Sequence, residues 1–321
     1  MHCYSRSILF ALALAAASAV PAQTYPSKPV HWIVGFAAGG GADILARAVA
    51  PKLGEALGQQ IIVDNRAGAA GNIAFEYVTK APPDGYTLLM GSPGLAANPS
   101  LYPKLTFDPI RDFAAVAMLG TVPNLMVVHP SVPATSVRQF IALARSKPGK
   151  LNFASSGTGT SLHLAAELFM SMANIEMTHV PYKGSSLAVA DLIGGQVDVF
   201  FDVLPSSAPH VKAGRIRALA ITDLKRSPLF PELPTMDEAG VPGYRAVTWN
   251  AMLAPAGTPK EVIAKLNGAI AQLLQTADMK ERFAAIGTDP VAMTPEQFAA
   301  FLREETSKWS GVIRKAGIRL E

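Results

Sequence analysis

Residues 32–50 read Trp-Ile-Val-Gly-Phe-Ala-Ala-Gly-Gly-Gly-Ala-Asp-Ile-Leu-Ala-Arg-Ala-Val-Ala, and the architecture follows from how they are read. The apolar run Trp32 to Phe36 has the composition of a buried strand. Three glycines follow, Gly39, Gly40 and Gly41. Apolar residues then recur at Ile44, Leu45, Ala48 and Val49 with helical spacing. Asp43 stands where a helix cap or a first-turn acid belongs. A strand, a small-residue loop and a helix start leave backbone N–H groups unhindered in the partial positive field of the helix end, which favours an anion.

Two nucleotide-binding readings fail on spacing. A dinucleotide fingerprint counted from Gly39 would need glycine where Ile44 stands, and a P-loop counted from Gly35 would need Lys-Ser/Thr where Gly41-Ala42 stand. With no lysine to neutralise a polyphosphate, the loop suits a small anion. The competing structural reading is a glycine turn that packs a helix tightly on its strand.

Half of the 321 residues are apolar and only 16% are charged, enough for two sizeable cores. The N-terminus has the layout of a secretory signal: Arg6, an apolar run from Ile8 to Ala17, and small residues at Val20-Pro21-Ala22. The expected cut follows Ala22, with Ala19 as the second choice, so residues 1–22 are assigned to the signal and the mature protein to the periplasm. The single cysteine, Cys3, precedes the apolar run and leaves with it. Without Arg6 the 28 basic residues become 27 against 24 acidic ones, a net +3. They are scattered, which argues against nucleic acid as a partner. Beyond the N-terminus no apolar run reaches the roughly 20 residues of a membrane helix.

Along the chain, strand-like and helix-like segments alternate, which predicts a mainly parallel sheet covered on both faces. Strands are expected at 60–64, 86–90, 115–119, 124–129, 151–155, 179–181, 197–201, 217–222 and 249–255. Helices are expected at 71–80, 137–146, 162–173, 187–194, 205–213, 260–276, 278–286 and 295–316. Ser92 opens a small-residue passage to Pro103, and residues 228–243 read as a Pro-rich surface excursion. The opening pattern recurs at 151–173, where a strand, the polar loop Ser156-Gly157-Thr158-Gly159-Thr160-Ser161 and a helix follow one another. Boundaries drawn near 122–125 and 244–248 give a discontinuous first lobe (23–124 plus 248–321) and an inserted second lobe (125–247). The two small-residue loops then face each other across a cleft, with a hinge at the two crossings.

Five hydroxyls at Ser155, Ser156, Thr158, Thr160 and Ser161 exceed what capping one helix requires, so this loop is expected to contact ligand. His163 reads as a polar contact at the cleft or a satisfied structural histidine. Lys183, beside Gly184, faces either a carboxylate or solvent. Asp202 ends an apolar strand, where open sheets place ligand groups, or caps the helix turn at Pro205. No G-x-S-x-G elbow and no H-E-x-x-H occurs, and the six histidines are dispersed. Neither a metal nor another cofactor is expected.

Several ordered runs carry a family resemblance: F-A-A-G-G-G-A-D from Phe36, V-D-N-R-A-G-A-A-G-N-I-A from Val63, P-P-D-G-Y-T-L-L from Pro82, S-S-G-T-G-T-S-L-H-L from Ser155, V-P-Y-K-G from Val180, G-G-Q-V-D-V-F-F-D from Gly194 and A-P-A-G-T-P from Ala254. Together they resemble the Bug family, the TctC-like periplasmic receptors of tripartite tricarboxylate transport. The resemblance implies a two-lobed α/β fold of the type II periplasmic binding protein kind, a "Venus flytrap". It implies a small organic carboxylate (a di-, tri- or aromatic acid) held by both loops, partly through water. It also implies a monomer serving the membrane components of a tripartite transporter, without enzymatic activity. The expected contacts are Phe36, Ala37, Gly39, Gly40, Gly41, Asp43, Ser92, Ser156, Thr158, Gly159, Thr160, His163, Lys183, Gly184 and Asp202. Family members often carry Pro-Pro-Gly-Gly where this chain has Ala37-Ala38-Gly39-Gly40, a change that keeps the loop small but loosens it. Two rival readings remain at this point: a secreted hydrolase using Ser156 or Ser161 with His163, and a receptor feeding a sensor kinase.

Overall fold

The computed structural model describes residues 25–102 and 104–316. The expected signal, including Cys3, lies outside the described residues. Ten strands are β1 (Val30–Val34), β2 (Ile61–Asn65), β3 (Thr87–Gly91), β4 (Phe113–Val128), β5 (Asn152–Ser155), β6 (Thr178–Pro181), β7 (Val199–Val203), β8 (Arg217–Ile221), β9 (Val247–Pro255) and β10 (Asp289–Pro290). Helices α1 to α5 are Gly41–Leu57, Asn72–Thr79, Pro93–Leu101, Val137–Ser146 and Ser161–Ala173. Helices α6 to α10 are Ser185–Ile193, Leu204–Lys212, Lys260–Gln275, Ala277–Ala285 and Pro295–Ala316.

The strand order is β2-β1-β3-β9-β4-β7-β5-β6, with β8 and β10 also paired to β4. The outer pairings, β1 with β2 and β3, and β5 with β6 and β7, are parallel as expected. Every pairing made by β4 or β9 is antiparallel, so the centre of the sheet departs from the parallel pattern. Each of the two outer regions carries helices on both faces and its own core, around Trp32, Leu45 and Leu266 on one side and Phe140, Phe153, Phe169 and Phe201 on the other.

Two separate strands are expected at 115–119 and 124–129, with Gly120 and Pro123 between them. The structure runs straight through them as one 16-residue strand. Gly120 sits at a register shift against β9, where a Cβ would meet the Asp289 carbonyl oxygen at 2.5 Å. Pro123 is the last residue paired with β9, and from Asn124 onward β4 pairs with β7 and β8. The glycine thus admits a neighbouring backbone and the proline marks a hand-over between partners, both tolerated roles within a sheet. The passage 228–243 also differs from expectation. Phe230, Met236 and Val241 are buried, and Ile221 bridges to Thr235, so it is packed cover.

Candidate functional site

In a β-α unit the helix begins at the carboxyl end of its strand. That rule places the starts of α1, α3, α5, α6 and α7 after β1, β3, β5, β6 and β7, and all five starts line one cavity. Its wall holds Gly40, Gly41 and Ala42 from α1, Ser92 and Gly94 from α3, and Thr160, Ser161 and Leu162 from α5. Ser185 of α6 and Val203 and Pro205 at α7 continue the wall, and Phe36, Val122, Ser156, Thr248 and Asn250 complete it. The space amounts to about 520 Å³, part of it open to solvent. No lysine, arginine, aspartate or glutamate lines it. Two of its polar atoms, Ser92 Oγ and Asn250 Oδ1, are buried without a protein hydrogen-bond partner. Uncharged donors and helix ends gathered in a partly apolar hollow suit a small anion that binds and leaves.

The first glycine loop is shaped from behind. Asp43 is buried, and its carboxylate accepts hydrogen bonds from Gly39 N–H (2.8 Å), Arg47 Nε (2.9 Å) and Asn65 Nδ2 (3.0 Å). Burial alone would raise its pKa; Arg47, Gly39 and Asn65 together outweigh burial and hold it below the usual carboxylate range. The N-cap of α1 is Gly40, without a side-chain cap, so Asp43 acts as a first-turn acid that fastens the loop. Asn65 also donates to the Phe36 carbonyl at 3.0 Å.

This loop touches the opposite side of the cleft directly. Ala37 N–H donates to the Lys183 carbonyl at 3.2 Å, and Ser186 Oγ donates to the Ala38 carbonyl at 2.9 Å. Gly184, at φ +147°, lies so close that a Cβ would meet Ala37 N at 2.8 Å. A Cβ on Gly41 would meet Val203 Cγ2 at 2.3 Å. At the other flank Tyr102 donates to the Thr158 carbonyl at 2.7 Å, and Leu101, Leu164 and Ile313 form a small apolar cluster. The cleft is closed around the cavity.

Of the expected contacts, Phe36, Gly40, Gly41, Ser92, Ser156 and Thr160 lie on the wall. Ala37, Gly39, Asp43, Thr158, Gly159, His163, Lys183, Gly184 and Asp202 lie outside it. The Lys183 side chain is exposed, and its contribution to the loops is its backbone carbonyl. The hydroxyl loop spends part of its hydroxyls on itself: Thr160 Oγ1 donates to the Gly157 carbonyl and accepts from His163 N–H. Ser155 Oγ accepts from Gly157 N–H and shares a 2.6 Å hydrogen bond with His179 Nε2. Ser161 Oγ meets Thr248 Oγ1 at 3.1 Å.

His163 sits behind the same loop. Its Nδ1 accepts from Gly159 N–H at 3.2 Å, its Nε2 lies 3.3 Å from Glu167, and its ring stacks on His179 with centroids 4.1 Å apart. It makes no hydrogen bond to Ser156 or Ser161, so the nucleophile–base pair of the hydrolase reading does not form. Burial, reinforced by His163, lowers the His179 pKa to about 3. Asp202 is fully buried behind Ser185 and Val203. Ser207 Oγ donates to its Oδ2 at 2.6 Å, while the N-cap of α7 is Val203 without side-chain capping.

Sequence reasoning missed Ser185, Thr248, Asn250 and the apolar wall. Ser185 starts a helix after Gly184, the same signal that singled out Gly40 and Gly41. Thr248 and Asn250 alternate with the buried Trp249 on β9, a period-two polar face on a central strand. Ala42, Gly94, Val122, Leu162, Val203 and Pro205 carry no chemical signature in sequence. Among the described residues no group of three or more histidine, cysteine, aspartate or glutamate side chains is arranged to hold a metal, and no helix is long and apolar enough to cross a membrane.

Residues 45–318 match the family model for the tripartite tricarboxylate transporter family receptor, TctC. The chain is 40% identical to the protein BugT of Bordetella pertussis, over 95% of this chain and 94% of that protein. It is similar in structure to R. palustris Rpa4515 with adipate (42% identity, TM-score 0.90, covering 92% of this chain and all of that one). It is also similar to MatC from Rhodopseudomonas palustris with bound malate (33% identity, TM-score 0.84, covering 90% of this chain and all of that one).

Proposed function

The chain belongs to the TctC family of tripartite tricarboxylate transporter receptors, and from that membership we propose that it is a periplasmic receptor that captures a small organic carboxylate and does no chemistry on it. The observation that carries this reading is the convergence of five helix starts on one cavity that no charged side chain lines. Such a wall stabilises an anion through N–H dipoles and hydroxyls yet lets it go, because no buried cation must be left unpaired on release. The adipate and malate of the two structural relatives point to a dicarboxylate as the preferred class.

In this reading residues 23–124 plus 248–321 form one lobe, residues 125–247 the other, and β4 and β9 are the hinge strands. Gly40, Gly41, Ser156, Ser161 and Ser185 contact the acid directly or through water. Asp43 and His163 hold the two loops from behind. The mature protein works as a monomer and hands its ligand to the membrane components of a tripartite transporter. The use of His163 Nδ1 by Gly159 speaks against the hydrolase alternative.

A thermal-shift screen of mono-, di- and tricarboxylates, aromatic acids, sugars and amides tests the reading. A ligand present at 100 times its dissociation constant adds roughly 2.7 kcal/mol of stability. Dicarboxylates should raise Tm clearly. A shift with sugars or amides and none with any acid would refute carboxylate capture.

A further inference from the structure

Two buried carboxyl groups stand behind residues of the cavity wall; Asp43 is committed to Gly39, Arg47 and Asn65, whereas the anion reading leaves Asp202 without a role. It is fully buried, and its Oδ1 has no hydrogen-bond partner. The next residue, Val203, and the neighbouring Ser185 both line the cavity. From α7, Ser207 donates to Oδ2 at 2.6 Å, and the Ser185 and Ser206 hydroxyls stand beside the carboxyl. From β4 it is opposed by Leu125, on a strand that carries no charged residue.

The charged and titratable groups of the remaining neighbouring elements are committed elsewhere: on α5, which packs on β7, His163 accepts from Gly159 and lies 3.3 Å from Glu167. Asp191 of α6 accepts from Tyr182 (2.7 Å), and Asp43 and Arg47 of α1 pair with each other, as do Lys52 and Glu55. His210 and Lys212 stand in the last turn of α7, whereas Asp202 lies before its first. None of these makes an ion pair with Asp202. Burial raises its pKa to about 6, against the opposing effect of the Ser207 hydrogen bond and of the nearby Ser185 and Ser206 hydroxyls.

A second negative charge entering the adjoining cavity disfavours ionisation of this carboxyl further, since no cation offsets either charge. We propose that Asp202 is a positioning residue that takes up a proton when the anion binds, and that its protonation sets the direction of the Ser185 hydroxyl. With Asp202 ionised, Ser185 donates to the carboxylate and offers the cavity only a lone pair. With Asp202 protonated, the new O–H donates inside its own cluster and the Ser185 O–H is free to donate to the incoming anion. The proton comes from solvent and is returned on release, so capture is favoured by acid and release by base. This rests on the carboxylate reading.

Calorimetric titration of the wild-type protein with malate and with adipate, at pH 7 in buffers of different ionisation heat, counts the protons. Starting from a carboxyl titrating near 6, uptake should approach about nine-tenths of a proton per acid bound. The apparent dissociation constant should rise roughly tenfold between pH 7 and 8. Asp202→Asn should show neither the uptake nor the slope. Difference infrared spectra of the wild type should gain a protonated-carboxyl C=O band on adding the acid, and this readout does not depend on the variant folding. Binding without proton uptake and without pH dependence would overturn the proposal while leaving carboxylate capture intact. Failure of every carboxylate to bind at any pH would overturn the capture reading and this proposal with it.

Discussion

Ser156 and Ser161 differ from Thr158 in what surrounds them. The two serines lie on the cavity wall, whereas Thr158 presents its carbonyl to Tyr102 and lies off the wall. A hydrogen bond to a charged group contributes roughly 1.5–3 kcal/mol, and 1.4 kcal/mol is tenfold in affinity. Ser156→Ala should therefore weaken binding of the preferred acid by about tenfold or more, and Thr158→Ala by less than about threefold, both measured by calorimetric titration. A larger loss at Thr158 than at Ser156 would place the acid elsewhere on the hydroxyl loop. The same contrast marks what sequence can and cannot resolve at this scale. Five hydroxyls in the seven residues 155–161 made the loop stand out, but which face inward depends on the turn geometry around Gly157 and Gly159 and on the partners His179 and His163, which a run of residue types does not encode.

At the scale of elements, the start of α1 works only while its loop keeps its shape, and Asp43 supplies that shape by gathering Gly39, Arg47 and Asn65. Asp43→Ala removes the acceptor for all three and exposes none of them to the ligand. It should lower stability by about 1–3 kcal/mol and weaken the acid's binding as well, read as Tm and as dissociation constant. Normal affinity in a folded Asp43→Ala protein would mean that the loop holds itself. Alternation of strands and helices was legible because apolar runs and glycine turns are local signals. The continuity of β4 was not. Gly120 and Pro123 look like breaks until the Asp289 backbone and the exchange of β9 for β7 and β8 are known, and those partners come from distant parts of the chain.

Across the whole molecule, the two sides of the cleft meet at small residues. Gly41 accepts Val203 and Gly184 accepts Ala37 at distances that exclude a Cβ. Gly41→Ala should therefore prop the cleft open by pressing on Val203, at the edge of the second core. In small-angle scattering the wild type should contract on adding saturating acid, by the hinge closure that two crossing strands allow, and Gly41→Ala should stay at the expanded radius. Equal contraction of both proteins would show that Val203 yields and that the glycine has another purpose. The anion preference itself arises only at this scale, because five helix starts separated by up to about 160 residues share one hollow. Sequence read two of those starts as ligand loops and marked the other three only by single residues, Ser92, Lys183 with Gly184, and Asp202, since each by itself is an ordinary β-α turn.

In the proposed reading this hollow holds a carboxylate through neutral donors. Titration calorimetry with adipate or malate against the corresponding diamide, which keeps the size and shape but removes the charge, tests it most directly. The diacid should bind saturably, and the diamide should lose about a hundredfold or more, roughly 2.7 kcal/mol. Equal affinity for acid and amide, or a preference for the amide, would contradict it.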